Sequence, residues 1–330
     1  MTRMINKQKD IVSQVLNGVT YIYKDRLTRI PKTGIVLKKK LVKNKVALIS
    51  GGGSGHEPAH FGYIGNGMLD GTISGPVFTP PSAKEILEAI QLADQGCGTL
   101  LIIKNFEADR TNFLEAQKQA KLLGYKVDHV IVDDDCSVVS DRGEYSPRRR
   151  GVAGSVFVHK ILGQAAKEGR NLEELVKLGK EVVSSLNTLG VAFSSGTDME
   201  TNEPLFNMNQ HVVSFGIGIH GEQGYREEVF YSSEHLANEL INKLLNQYQD
   251  DDRFAVLVNG TGSSTLMEQY IFANDVDRLL KLQQKESAFQ LCGEFMTSTD
   301  MKGVSLSLLS LKEEYWLDYL QADTDAFAWR

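Results

Sequence analysis

Short, uninterrupted apolar runs alternate with longer amphipathic stretches along the first half of the chain. The apolar runs occupy residues 46–50, 99–104 and 129–133. Because they lack polar alternation, they are typical of strands buried on both faces of a sheet. Between them, the spacing of apolar residues predicts a helix over 82–93, opened by an S-x-x-E capping box, and a second over 111–123 that ends at Gly124. This strand-helix-strand order predicts a largely parallel sheet with helices on its faces.

The second half of the chain has a different rhythm. A helical pattern over 171–186 is followed by a glycine- and serine-containing stretch, and we place a domain boundary there, at 188/189. Strands are predicted over 211–215, 254–258, 288–291 and 304–308, with helices over 233–248 and 264–283. The last strand alternates apolar residues with serine, which predicts one exposed face. The expected fold class is therefore α/β with two domains, a largely parallel sheet flanked by helices over 1–188 and a smaller α+β domain over 189–330.

The composition narrows the class of protein without identifying it. With 42% hydrophobic and 24% charged residues, the 330-residue chain can bury a sizeable core. Its formal net charge of -6 argues against direct binding to nucleic acid. The three cysteines lie far apart, and the chain has no apolar leader and no apolar run of membrane-spanning length. We therefore expect a cytoplasmic protein with reduced thiols and no membrane partner.

A glycine-rich segment, S-G-G-G-S-G-H over 50–56, directly follows the first predicted strand. Parallel α/β sheets bind ligands at the carboxyl ends of their strands, and glycine-rich backbone can approach a small, oxygen-rich molecule. The alternative is a purely structural turn. His56 stands where the dinucleotide motif G-x-G-x-x-G requires its third glycine, and no Walker motif occurs in the chain. The segment therefore predicts a small-molecule site, and we expect no nucleotide cofactor.

The overlapping segment H-E-P-A-H, over 56–60, matches the zinc-protease pattern H-E-x-x-H. That pattern binds zinc only when both histidines lie one turn apart on a continuous helix. Pro58 lies inside the turn and disfavours such a helix. The cysteines also lack the spacing of metal ligands, so we expect no metal.

Two further segments carry candidate ligand-binding groups. Lys104 and Asp109 come at the end of the second predicted strand, where a lysine can donate to a ligand oxygen and an aspartate can accept from a hydroxyl. The alternative for them is an ion pair on the surface. His220 lies in a glycine-flanked hairpin, G-I-G-I-H-G-E-Q-G over 216–224. A neutral imidazole nitrogen is a nucleophile that can add to a carbonyl carbon, although a lone histidine is more often structural.

Taken together, these segments resemble the dihydroxyacetone kinase family, and in particular its substrate-binding K subunit. The resemblance covers nearly the whole chain. It rests on the segments GGGSGHEPAHFGYIGNGML, LLIIKNFEADRTNF, VIVDDD, RRRGVAG, FGIGIHGEQG, VNGTGSSTLMEQY and MTSTDMKGVSLSLL. So many long matches are not expected by chance.

The resemblance implies a chemistry and a set of site residues. In that family a histidine of the second domain forms a reversible hemiaminal with the carbonyl carbon of dihydroxyacetone, and the matching G-I-H-G-E segment assigns this role to His220. The match also implies that His56 and Asp109 act as acid/base and hydroxyl-binding groups. The implied substrate-binding residues are Gly53, Ser54, Gly55, His56, Lys104, Asp109 and His220. The family further suggests a homodimer.

The chain departs from the family pattern at the edge of the implied site. Kinase subunits typically read close to G-E-I-F-T-S-P where this chain has G-P-V-F-T-P-P, so Pro76 and Pro80 replace a glutamate and a serine. In addition, Gln223 stands where the family usually has proline. The chain thus keeps the residues that capture the ligand, while the residues around them differ. This combination resembles the non-catalytic, DhaQ-type co-activators of the family, which sense dihydroxyacetone and work with a TetR-like transcription regulator.

The resemblance therefore leaves two functions open. It favours a ligand-sensing co-activator that has lost phosphoryl transfer and so is not an enzyme. The alternative is the K subunit of a phosphoenolpyruvate-dependent dihydroxyacetone kinase, a phosphotransferase that works with a nucleotide-carrying L subunit.

Overall fold

The computed structural model describes residues 3–137, 149–199, 201–209, 211–222 and 224–330. The strands of its N-terminal part are β1 (Leu27–Arg29), β2 (Ile35–Lys38), β3 (Ala47–Ser54), β4 (Gly71–Val77), β5 (Thr99–Lys104) and β6 (Val127–Val132). They form one sheet in the order β1-β2-β4-β3-β5-β6. The last four strands in this order run parallel, whereas β1 and β2 form an antiparallel edge. The predicted, largely parallel sheet is confirmed.

Helices cover both faces of this first sheet. They are α1 (Ile11–Ile22), α2 (Ala83–Ala93), α3 (Glu107–Leu122), α4 (Ser155–Lys167) and α5 (Leu172–Ser184). Residues of α2 and α3 share a core cluster with one face of the sheet, and residues of α4 and α5 share a cluster with the other. Side-chain caps begin two of these helices: Ser82 accepts from the Glu85 amide before α2, and Asn171 forms a capping box with Glu174 before α5.

The C-terminal part contains a second six-stranded sheet. Its strands are β7 (Leu186–Ser194), β8 (Val212–Phe215), β9 (Arg226–Val229), β10 (Arg253–Gly260), β11 (Glu286–Gly293) and β12 (Lys302–Ser310), and its helices are α6 (Ser233–Leu245), α7 (Leu266–Leu282) and α8 (Glu314–Gln321). The strand order is β11-β10-β12-β7-β8-β9, and only β10 and β11 pair in parallel. Two domain-like parts, each with its own sheet, confirm the α/β fold class. The predicted boundary at 188/189 lies inside β7.

The two sheets share one hydrophobic core, and α4 lies within it. Every residue of α4 except Lys167 is buried. The surrounding cluster joins Leu48 and Leu100 of the first sheet to Leu257 and Leu309 of the second. The buried residues of α4 include His159, Lys160 and Gln164, so the polar positions that would mark the exposed face of a surface helix lie inside the core. The shared core fixes the two domains relative to each other.

The prediction that the strand over 304–308 has one exposed face is wrong. All residues of β12 except Lys302 are buried. The hydroxyl of Ser307 lies 2.7 Å from that of Thr188, and the hydroxyl of Ser305 accepts from the Asn259 amide at 3.1 Å. The alternation of apolar residues and serine therefore marks two buried faces, one of which is stabilised by hydrogen bonds.

The glycine-rich segment also differs from its prediction. The strand predicted over 46–50 continues as β3 to Ser54, so the glycines at 51–53 are strand residues that pair with β4 instead of a loop. A Cβ on Gly51 or Gly53 would lie 2.3 or 2.6 Å from backbone atoms of neighbouring segments. These glycines therefore permit close approach of the backbone within the sheet.

The helix predicted over 111–123 begins earlier than expected. α3 starts at Glu107, and its N-cap residue, Phe106, has no capping side chain that could mark this start in the sequence. Asp109 consequently lies in the first turn of α3. The sequence pattern does not predict α1, α4, α8, β1, β2, β4, β7 or β9. Among the described residues, no helix combines the length and apolar character needed to cross a membrane.

Leu162 of α4 offers a test of the shared core. We expect Leu162→Ala to lower the free energy of unfolding by about 2–5 kcal/mol, because truncating a fully buried leucine leaves a cavity. Leu122→Ala is the matched control, since Leu122 is 80% exposed at the end of α3. Denaturant unfolding of both variants measures the difference. Equal losses of stability would contradict the placement of α4 inside the core.

Candidate functional site

Four candidate side chains from both domains meet at one end of the first sheet. His56 follows β3, Lys104 is the last residue of β5, and Asp109 lies in the first turn of α3. These positions lie at the carboxyl ends of neighbouring parallel strands, where α/β sheets bind ligands. His220 comes from the second domain, on the hairpin loop between β8 and β9. Its imidazole contacts that of His56, so the site is formed between the two domains.

The two histidines form the centre of the site. Nε2 of His56 lies 3.0 Å from Nε2 of His220, and the ring planes are inclined at 72°. Nδ1 of His56 lies 2.9 Å from the carbonyl oxygen of Thr297. Nδ1 of His220 lies 3.0 Å from Oε1 of Glu222. A chain of hydrogen-bonding groups thus runs from a backbone carbonyl through two imidazoles to a carboxylate.

The two ends of this chain determine where its protons lie. The carbonyl of Thr297 and the carboxylate of Glu222 can only accept hydrogen bonds, so both Nδ1 atoms must donate. Because a neutral imidazole carries one proton, the Nε2 atoms of a neutral pair present lone pairs to each other. A third proton held between the two Nε2 atoms would satisfy that contact. His220 Nε2 is therefore a nucleophile, or becomes one after a single proton transfer to His56.

Glu222 is ionised beside the His220 ring. Burial opposes its ionisation, but the hydrogen bond and charge of His220, together with the charge of Arg150, lower the pKa of this carboxyl to about 2. Its second oxygen accepts from the His220 backbone amide at 3.0 Å and lies 3.9 Å from the Arg150 guanidinium. Arg150 in turn contacts Asp135 at 2.6 Å and the Gly216 carbonyl at 2.7 Å. This charged network ties the hairpin to the first domain.

Lys104 and Asp109 are buried, and each keeps one polar atom without a partner. Within the described part of the chain, Nζ of Lys104 and Oδ1 of Asp109 make no hydrogen bond. Both face one space, since a Cβ placed on Gly52 would lie 3.0 Å from Nζ and 3.3 Å from Oδ1. Buried polar atoms are nearly always paired, and these two, which share one space, are available to bind a ligand oxygen. The alternative of a surface ion pair is wrong, because both side chains are buried.

Burial shifts the pKa values of these groups toward their neutral forms. It lowers the pKa of His56 well below the usual range, and the charges of Lys104 and His220 lower it further. Burial also lowers the pKa of Lys104 and raises the pKa of Asp109, and the attraction between the two charges partly offsets both changes. Groups shifted in this way are suited to exchange protons with a bound molecule.

Aromatic rings enclose the histidine pair. Phe106 packs against His220 with ring centroids 4.5 Å apart, and Phe78 contacts His220 at 5.6 Å and His56 at 5.3 Å. A Cβ on Gly55 would lie 2.8 Å from the Phe78 ring, so glycine makes room for that ring. Phe78 itself has a left-handed backbone, with φ of +53°, and such conformations concentrate at functional sites. His56 is fully buried as a result, and the His220 side chain is only 21% exposed.

The other predicted substrate-binding residues lie beside the histidines with polar groups already engaged. The hydroxyl of Ser54 donates to a carbonyl of β4 at 2.7 Å. The amide of Gly55 lies 3.1 Å from each carboxylate oxygen of Glu57, and Gly53 packs against the segment that follows β4. The amide of Gly55 is therefore already bonded within the chain and is not available to a ligand.

The H-E-x-x-H segment does not have the geometry of a zinc site. Residues 57–60 form turns instead of a helix, and the two histidines have different partners. His56 contacts His220, whereas Nδ1 of His60 lies 3.0 Å from Nε2 of His159 in the core. Glu57 is turned toward the Gly55 amide. The two histidines do not converge on a common position, so the motif match has no counterpart in the structure.

The departures from the family pattern flank the ring that covers the histidines. Pro76 and Pro80 lie on either side of Phe78, with Pro76 exposed and Pro80 half-buried. The Pro76 carbonyl accepts from the Thr79 amide at 3.0 Å, which closes a turn around Phe78. Gln223 lies outside the described residues. The two prolines therefore change the surface next to the candidate site and leave its central residues in place.

Sequence reasoning does not identify several residues that complete the site. They are Phe78, Phe106, Arg150, Glu222 and Thr297. Phe106 and Glu222 each lie two positions after a predicted site residue, and this proximity is a signal that could have found them. The carbonyl of Thr297 lies 241 residues from His56 along the chain, and nothing local in the sequence marks it.

Comparison with known proteins gives consistent matches over the whole chain. The family model described as the Dak1 domain matches residues 17–328. The chain is 43% identical to the dihydroxyacetone-binding subunit DhaK of the PTS-dependent dihydroxyacetone kinase of Lactococcus lactis, over 99% of this chain and 98% of that protein. It is 45% identical to the DhaKLM operon coactivator DhaQ of the same organism, over 99% of this chain and all of that protein.

Solved structures agree with these relatives. The structure of a dihydroxyacetone kinase operon co-activator, DhaQ, superposes with a TM-score of 0.90 at 46% identity, covering 96% of this chain and 97% of that one. The dihydroxyacetone kinase of C. freundii superposes with a TM-score of 0.89 at 34% identity, covering 99% of this chain and 60% of that one. The family model, the full-length relatives and the superposed structures agree, and the chain belongs to the Dak1 family.

Proposed function

We propose that this protein captures dihydroxyacetone as a covalent hemiaminal on His220 and, when occupied, acts as a co-activator of a TetR-like transcription regulator. The observation that carries the capture step is the pairing of two imidazoles beside the unpaired atoms of Lys104 and Asp109. A hydroxyketone requires a nucleophile for its carbonyl carbon, a proton donor for its oxygen and polar partners for its hydroxyls. The similarity to a subunit named for dihydroxyacetone binding supports this ligand.

Capture requires one new bond and one proton transfer. The lone pair of His220 Nε2 adds to the carbonyl carbon, the C=O π bond opens, and its electrons move onto oxygen. In this step the pair holds its third proton on Nε2 of His56, and the lowered pKa of His56 makes this ring a ready proton donor. The proton passes to the carbonyl oxygen and completes a hydroxyl. The His220 ring then carries the positive charge that His56 has lost, next to the carboxylate of Glu222. Charges and protons balance, so the reverse reaction releases unchanged ketone.

Lys104 and Asp109 would hold the hydroxyls of the ligand. Lys104 donates to a hydroxyl oxygen, and Asp109 accepts from a hydroxyl. Glycerol offers similar hydroxyls but has no carbonyl carbon for His220 to attack. Covalent capture therefore discriminates between two molecules that hydrogen bonds alone would separate poorly.

The co-activator role is supported by the surroundings of the site. Pro76 and Pro80 replace polar residues of the kinase pattern beside Phe78, the ring that covers the histidines. Because proline has no backbone donor, these replacements change the surface that a protein partner meets. Full-length similarity to a co-activator supports the same role. We also expect a homodimer that works in the cytoplasm, where a transcription regulator is found.

The second candidate function is the K subunit of a phosphoenolpyruvate-dependent dihydroxyacetone kinase. The similarity to a DhaK subunit is nearly as high as that to the co-activator. Asp109 is also buried with one oxygen unpaired, as a residue that accepts a proton from an attacking hydroxyl would be. The phosphoryl group would have to come from a nucleotide-carrying L subunit.

We expect His220→Ala to abolish capture of dihydroxyacetone, because the attacking nitrogen is removed while the fold is kept. Intact-protein mass spectrometry with and without dihydroxyacetone measures the adduct. His235→Ala is the matched control, since His235 is a partly exposed histidine on α6 and its removal should leave the mass increase unchanged. A ligand-sized mass increase that persists in His220→Ala would falsify the assignment.

Asp109→Asn should weaken capture by about tenfold or more without abolishing it, because a hydrogen bond to a charged acceptor is stronger than one to a neutral amide. Titration calorimetry with dihydroxyacetone measures the dissociation constant. Asp128→Asn removes the charge of a partly exposed aspartate on β6 and should have no effect. Unchanged affinity of the Asp109 variant would place Asp109 outside the ligand-binding group.

Dihydroxyacetone should increase binding of the protein to its TetR-like regulator, because the regulator is expected to recognise the occupied form. Surface plasmon resonance with the purified regulator, with and without dihydroxyacetone, measures this difference, and His220→Ala should eliminate it. Equal binding with and without dihydroxyacetone, or no binding at all, would contradict the co-activator role. Formation of dihydroxyacetone phosphate on mixing with a nucleotide-loaded L subunit would favour the second candidate.

A further inference from the structure

We propose that Glu222 is a positioning residue that keeps the His220 proton on Nδ1 and so leaves Nε2 as the attacking nitrogen. The inference rests on the proposed capture of a ketone by His220, and it adds a residue to that function. Both carboxylate oxygens of Glu222 bind this one histidine: Oε1 lies 3.0 Å from the ring Nδ1, and Oε2 accepts from the backbone amide at 3.0 Å. One carboxylate thus binds both the ring and the backbone of His220.

The tautomer of His220 decides whether it can attack. A neutral imidazole can carry its proton on either nitrogen, and only the other nitrogen is a nucleophile. A proton on Nε2 would donate to His56, whose own proton is directed to the Thr297 carbonyl, and the attacking position would be masked. Because an ionised carboxylate cannot donate, Glu222 excludes this arrangement.

The surrounding charges favour the ionised form of Glu222. The Arg150 guanidinium, anchored by Asp135, lies 3.9 Å from its second oxygen. After addition to a ketone, the His220 ring keeps its Nδ1 proton and becomes positively charged, so the same carboxylate is its counter-charge. One side chain therefore selects the nucleophilic nitrogen before the reaction and stabilises the product after it.

Glu222→Gln tests this role, since the amide keeps the size of the side chain. Its oxygen can still accept from the His220 backbone amide, while its NH₂ group donates to Nδ1 and moves the ring proton to Nε2. In ligand-free protein at about pH 8, where an ordinary imidazole is neutral, ¹⁵N NMR of the ring should show a protonated Nδ1 in the native chain and a protonated Nε2 in the variant. Adduct formation, followed by mass spectrometry, should slow by about tenfold or more.

Glu227→Gln is the matched control, because Glu227 is an exposed carboxylate on β9 and its loss removes the same charge. It should change neither the tautomer nor the rate. If Glu222→Gln keeps the native tautomer, whatever its rate of capture, Glu222 has a structural role only and the inference is overturned, while capture by the native chain stands. If the native ring is protonated on Nδ1 and the variant ring on Nε2, but the native chain captures no ketone, the proposed function fails and the tautomer role of Glu222 is supported.

Discussion

The contact between His56 and His220 depends on a common core that holds the two domains in one position. The two residues are 164 positions apart in the chain and belong to different domains, yet their Nε2 atoms are 3.0 Å apart. The fully buried helix α4 and its cluster join both sheets, and a close-packed interior leaves little freedom for one domain to slide over the other. The chemistry of the site is therefore a product of domain packing.

The packing of the two domains also leaves buried polar atoms without hydrogen-bond partners, and a ligand would supply those partners. Lys104 and Asp109 are buried with one unpaired atom each, and an unsatisfied buried polar group costs about 1–3 kcal/mol. The fold tolerates this cost because burial of the core contributes far more free energy than two hydrogen bonds. A molecule that places a hydroxyl between the two atoms recovers part of it. Binding of such a molecule would therefore also stabilise the fold. The position next to Gly52 is suited to it, because any side chain at residue 52 would occupy the same space.

The sequence predicts the parts of this molecule that are encoded locally. Three of the four parallel strands, the capped start of α2 and the positions of His56 and Lys104 at strand ends follow from apolar runs and short motifs, whereas the fourth parallel strand, β4, does not. Long-range packing is not visible in the same way. The polar residues of α4 lie inside the core together with its apolar residues, so they mark no exposed face. The serines of β12 suggest an exposed face, yet two of them contact the buried side chains of Thr188 and Asn259. The partner of His56, a backbone carbonyl, has no side-chain signature at all.

The difference between a sensor and a kinase subunit must arise outside the histidine pair, because both would use the same capture step. A ligand bonded to His220 would lie next to Phe78, since this ring contacts both imidazoles. Phe78 has a left-handed backbone inside a turn in which the Pro76 carbonyl accepts from the Thr79 amide, so the position of its ring depends in part on the geometry of that turn. Pro76 is exposed on the same turn. The residues that depart from the kinase pattern therefore connect the ligand-binding position at His220 to the protein surface. A change of function at these residues requires no change in the capture chemistry of the histidine pair.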